Sequence, residues 1–177
     1  MKTRILLLIS LLFGFTGILN SQSIIDNLFE KYSGAEGYTS VYISKYMFDM
    51  FRNNETKPSK MGEEDLEQVI SKLDGIKILV TDDDPATTAS VNLYKEVMKL
   101  IPGSPYKEVM VVKEKDKDIK FYAKENKDKR VAELLMVIGG TDQNVLISIV
   151  GDIDMKNISK LAKTMNVEGM ENLDKIK

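Results

Sequence analysis

Apolar positions recur along this chain with two periods, and the switches between them mark out its elements. Ile24, Ile25, Leu28, Phe29 and Tyr32 fall at helical spacing and stop at Ser33-Gly34, which predicts an amphipathic helix. Residues 39–44 are mostly β-branched or aromatic and predict a short strand. Ser44 can cap a following helix that carries Met47, Phe48, Met50 and Phe51, and the polar stretch after it, with Pro58, is a loop. Glu63, Glu64 and Asp65 supply the acidic first turn of a third helix with the apolar stripe Leu66, Val69, Ile70 and Leu73. Gly75 is its expected left-handed stop, and residues 76–80 follow as a largely apolar strand. Asp84 then caps a fourth helix with Pro85 at its first position and Leu93, Tyr94, Val97, Leu100 and Ile101 on its buried face, ended by Pro102-Gly103.

The second half changes to strands, at residues 106–113, 118–124, 131–138 and 145–150. In the second of these, Ile119, Phe121 and Ala123 alternate with Lys120, Tyr122 and Lys124, so one face is expected to be wet. Residues 139–144, Gly-Gly-Thr-Asp-Gln-Asn, predict a hairpin turn in which Gly and Asn supply positive φ angles. Asp154 caps a last helix with Ile158, Leu161, Ala162 and Met165 inward, and residues 167–177 form a frayed tail. Helices first and a four-strand meander later predict an α+β fold: an antiparallel sheet with a C-terminal four-strand meander, one face covered by helices. No repeat or long linker divides it, so residues 22–166 form a single domain.

The first residues do not belong to that pattern. Lys2 and Arg4 precede an apolar run from Ile5 to Leu19, the layout of a secretory signal peptide rather than a full membrane span. Ser21 is a small residue before a cut, so residues 1–21 are expected to be removed and the chain to begin at Gln22. A lipoprotein anchor would need a cysteine at the cut, and the 177-residue chain has none. The expected product is an exported protein, periplasmic or extracellular, soluble and without an integral membrane span. Removing residues 1–21 takes two basic residues and no acid, leaving 23 basic against 27 acidic.

Composition narrows the chemistry. With no His and no Cys, the chain lacks imidazole acid–base catalysis, thiol nucleophiles, thiolate metal sites and Ser-His-Asp triads. Asp82, Asp83 and Asp84 form the sharpest acidic cluster and can in principle hold Ca²⁺ or Mg²⁺, but consecutive side chains do not converge and no EF-hand spacing follows. An acidic loop capping a helix explains them, so no metal and no cofactor is expected. The Gly139-Gly140-Thr141-Asp142 stretch resembles a phosphate turn, yet it leads into a strand where a phosphate loop leads into a helix. Asp152 and Asp154 raise a paired-carboxylate question that helix capping by Asp154 answers.

Charge is uneven. Residues 113–130 carry eight basic and five acidic side chains, whereas residues 62–84 carry eight acidic and two basic. Tyr122 between Lys120 and Lys124 looks like a stacking platform, but export and an acidic total argue against nucleic acid. Ten Met residues fill gaps in a core by default, or line a deformable groove.

Several stretches carry a family likeness: Phe29-Glu30-Lys31-Tyr32, Thr39 through Lys45, Leu73-Asp74-Gly75-Ile76 and Glu108-Val109-Met110-Val111. Further on come Leu135 through Gly140, Asn144 through Ile149, and Ile158-Ser159-Lys160-Leu161. Together they resemble a family of exported Bacteroidota proteins, the domain-of-unknown-function family numbered 4252. The resemblance implies a small envelope protein and names no activity. Some relatives carry a lipobox, which this chain lacks.

Together these readings predict a non-catalytic envelope protein that binds a protein partner. The expected contact residues are Tyr46, Met47, Phe48 and Phe51 on the short helix, and Lys120, Tyr122 and Lys124 on the sheet. The alternatives are a carrier of an apolar small molecule in a sheet–helix pocket and a carboxylate-dependent hydrolase. Oligomeric state is not written in the sequence.

Overall fold

The structure is a computed structural model that describes residues 23–53, 71–81, 92–141 and 143–154, with residues 51–53 described by their backbone alone. Helix α1 (Ile24–Tyr32) starts where the sequence expects it. Ser23 Oγ accepts from the Ile25 amide at 3.3 Å while the Ser23 amide donates to Asp26 Oδ2 at 3.3 Å, a reciprocal cap that satisfies donors the first turn leaves unpaired. Asp26 in the first turn and Lys31 in the last both suit the helix dipole. The chain leaves through Gly34 at φ 76°, a left-handed exit that costs a glycine little.

Strand β1 (Tyr38–Ser44) runs without a connecting residue into helix α2 (Lys45–Asn53). Strand β2 (Leu73–Thr81) then departs from the sequence reading. Leu73, Asp74 and Gly75 belong to the strand rather than to the end of a helix, and Gly75 is not left-handed. Gly75 pairs across from Ser44, where a Cβ would sit 3.4 Å from both the Ile43 carbonyl oxygen and the Tyr42 ring. Close approach, not a helix stop, accounts for the glycine.

Helix α3 (Leu93–Leu100) is capped by Asn92, whose side chain accepts from the Lys95 amide at 2.9 Å, while the predicted cap at Asp84 lies outside the described residues. The four remaining strands are β3 (Lys107–Lys113), β4 (Lys117–Glu125), β5 (Val131–Gly140) and β6 (Asn144–Ile153). They form the expected meander, the last three each a little longer than the sequence pattern suggests. The predicted helices over 63–70 and beyond 154, the Asp82–Asp84 cluster, Asp142, the tail and residues 1–21 lie outside the described residues.

All five strand pairs are antiparallel, in the order β1-β2-β6-β5-β4-β3. The β2–β3 connection leads past β6, β5 and β4 to the far edge and carries α3 over one face. Helices α1 and α3 share that face: Ile25, Leu28, Leu93 and Val97 pack with Leu79, Leu135, Val137 and Leu146 in one cluster. On the opposite face Phe48 of α2 joins Leu73, Phe121, Leu134, Met136 and Ile149. Helices therefore pack against both faces, where the sequence reading expected one. In β5 the five residues 133–137 are buried in succession, because a strand covered on both sides loses its polar alternation.

Candidate functional site

Helix α2 carries two faces with opposite fates. Phe48 is 7% exposed and belongs to the core, which removes it from the predicted contact residues. Tyr46 is 72% exposed, Met47 42% and Met50 45%. At 100° per residue, positions 46, 47 and 50 fall within one stripe, with position 48 turned well away from it. The Phe51 side chain lies outside the described residues. Two further exposed residues, Val41 and Tyr42, lie on the adjoining strand β1. Among the described residues, five of the six exposed large hydrophobic side chains thus fall between positions 41 and 50. Sequence reasoning found Tyr46 and Met47 and missed Val41, Tyr42 and Met50 as surface; a strand pattern cannot say which strand ends at an edge.

Tyr42 is held on the α1 side of β1. Its ring meets Phe29 edge-on with centroids 6.4 Å apart, and the Lys77 ammonium stands 5.7 Å from its centroid. Lys77 is itself paired with Asp26 at the start of α1. These contacts orient the ring while leaving more than half of the residue in water.

The second predicted patch does not assemble. Tyr122 is 4% exposed beneath α3, and its hydroxyl reaches Glu108 Oε2 at 3.3 Å and Met98 Sδ at 3.5 Å. The face expected to be wet is covered by helices. Burial, reinforced by Glu108, pushes the Tyr122 phenol up to about 12. Lys120 is half-buried on β4, and Lys124 turns toward Glu133, 3.7 Å from its Oε2. The three residues form no platform.

A buried polar cluster takes their place. Glu133 is 5% exposed; Oε1 accepts from Ser148 Oγ and Oε2 from the Tyr106 hydroxyl, each at 2.8 Å. Tyr106 in turn meets Ser23 Oγ at 2.9 Å, and burial drives its phenol well above the usual range. A lone acid inside the apolar run at 131–138 was the available signal for this cluster. With both carboxylate oxygens engaged and the group out of water, Glu133 holds β5, β6 and the start of α1 together and offers no site for substrate proton transfer.

Other carboxylates are likewise tied up. Glu96 is bound by Lys31 Nζ at 2.7 Å and by the Tyr32 hydroxyl; partial burial works to raise it, and the two hydrogen bonds overcome that and hold it below the usual carboxylate range. Asp152 is bridged by Arg130 at 2.7 Å on the rim of a concavity of about 420 Å³ shared with Lys72, Lys129 and Asp154. That concavity is lined mainly by charged side chains, unlike the apolar pocket a lipid-like cargo needs. No group of three or more potential metal-ligating side chains converges among the described residues.

The family model described as Domain of unknown function (DUF4252) matches residues 32–161. No curated protein and no solved structure matches the chain. Among the described residues, no helix is long and apolar enough to cross a membrane.

Proposed function

The chain belongs to the DUF4252 family, with all six strands, α2 and α3 inside the matched span, and on that premise we propose that it is an exported, non-catalytic protein that binds a protein partner at the bacterial envelope. The supporting observation is the concentration of exposed Tyr, Met and Val side chains between Val41 and Met50. Tyr and Met are enriched at protein interfaces, where a large, partly polar or deformable side chain gains most from losing water. Two elements joined without a loop present them, so a partner meets a preformed surface and little ordering cost. The engaged state of Glu133, Glu96 and Asp152 supports the non-catalytic half of the reading. Export rests on Lys2, Arg4 and the apolar run after them.

The test is a photo-crosslinking amino acid at Tyr46, introduced in the native host and read by mass spectrometry, with the same probe at Asp128 as a control remote in sequence. A reproducible envelope protein captured from position 46 and not from position 128 is the expected result. Equal capture from both positions, or none, overturns the placement.

A further inference from the structure

The described methionines divide by their surroundings. Met136 is 2% exposed within β5, Met110 on β3 packs against the same core cluster, and Met98 Sδ on α3 accepts from the Tyr122 hydroxyl at 3.5 Å. Met47 and Met50 differ from all three. Each stands exposed on the outer stripe of α2, beside the still more exposed Tyr46. Three residues apart, they are neighbours on one helical face. With no cysteine in the chain, thioethers are its only oxidisable sulfur, and access to solvent sets which of them reacts first. The exported state proposed above places them outside the cytosol, where thiol reductants are scarce.

We propose, resting on the reading of residues 41–50 as an interaction surface, that Met47 and Met50 form a reversible oxidation site through which a peroxide releases the bound partner. The thioether sulfur attacks one oxygen of hydrogen peroxide, and the O–O bond breaks. Sulfur keeps that oxygen as a sulfoxide and is oxidised by two electrons, while the second oxygen leaves with both hydrogens as water. A methionine sulfoxide reductase reverses the step: the oxygen departs as water and two thiols close to a disulfide. Oxidation thus replaces a deformable apolar contact by a strong dipole. Buried against a partner without a hydrogen bond, that dipole opposes association. Phe48 is turned into the core, so the change stays on the outer face of α2. Oxidation of Met136 would instead break the core, and its burial protects it.

The test uses the protein purified in the form its host exports. Graded hydrogen peroxide followed by peptide mass spectrometry is expected to add oxygen to Met47 and Met50 about tenfold faster than to Met136. Oxidised protein carrying the photo-crosslinking residue at position 46 is expected to capture the envelope partner about tenfold less than untreated protein. A sulfoxide reductase supplied with dithiothreitol is expected to restore the capture. Met47→Gln combined with Met50→Gln sets comparable dipoles there without an oxidant. That double variant is expected to capture weakly from the start, with circular dichroism unchanged, and peroxide is expected to lower its capture no further. Equal oxidation rates at Met47, Met50 and Met136, or an equal peroxide-driven loss in the double variant, overturns the inference. Capture that persists through oxidation also overturns it, and leaves the binding reading standing without the switch. No capture from untreated protein sinks the binding reading, and the switch with it.

Discussion

The Tyr106 hydroxyl donates to Glu133 Oε2 at 2.8 Å, 27 positions apart in sequence and both nearly out of water. Because Tyr106 has one proton and gives it to the carboxylate, Ser23 Oγ is the donor in the 2.9 Å contact between Ser23 and Tyr106. One phenol thus ties the cap of α1 to a carboxylate in the middle of the sheet.

Tyr106→Phe removes that donor while keeping the ring. Hydrogen bonds to charged groups contribute about 1.5–3 kcal/mol, so a loss of about 2 kcal/mol is expected in urea denaturation. Tyr106→Phe combined with Glu133→Gln is expected to cost less than the two single changes summed, because the neutral amide no longer needs the lost donor as much. Additive losses would show that the two groups do not act as a unit.

Alkaline pH tests Tyr122. Its phenol is raised to about 12, against about 10 for a free tyrosine. Below about pH 10 both the folded and the unfolded phenol keep the proton, and the stabilisation is fully present. Between about pH 10 and 12 the unfolded chain ionises first, so stability falls as pH rises through that window. Denaturant midpoints measured across it are expected to decline, and Tyr122→Phe is expected to flatten the decline. An unchanged slope in the variant would assign the loss to other groups.

Gly139 lies under the ring of Tyr94. A Cβ there would stand 2.5 Å from Tyr94 Cγ, far inside contact distance. Gly139→Ala is expected to destabilise by about 1–3 kcal/mol, as overpacking does. In a Tyr94→Ala background the same change is expected to cost little, since the ring that blocks it is gone. Equal costs in both backgrounds would remove the packing explanation.

Helix α2 predicts opposite outcomes for neighbouring aromatics. Phe48→Ala empties a core position and is expected to cost about 3–5 kcal/mol. Tyr46→Ser changes an exposed residue and is expected to leave stability within about 0.5 kcal/mol. Thermal unfolding of the two variants separates the roles, and a large loss for Tyr46→Ser would mean that its ring is packed in the folded protein.

Much of the fold was legible in local pattern. The α1 stripe, the Ser33-Gly34 stop, the β1 strand and the four-strand meander all follow from spacing that one helix turn or one pleat imposes. The glycines inside the strands were not legible. Gly139 and Gly140 look like turn residues with positive φ, yet neither has it. Gly139 makes room for Tyr94, and a Cβ on Gly140 would come within 2.8 Å of the Gln143 carbonyl oxygen. Tyr122 misled for the same reason: alternation with lysines marks a wet face only until a distant helix lies across it.

Sequence alone determined which short segments coil, extend or turn, because those preferences come from contacts a few residues long. It also determined which acid–base chemistries lack their residues, because composition does not depend on folding. Strand order, the helices on both faces, and the burial of Glu133 against Tyr106 came from packing between segments far apart in the chain. An apolar strand records that it needs cover, but not which helix or strand supplies it. That choice belongs to the whole core, where every buried side chain must be matched at once.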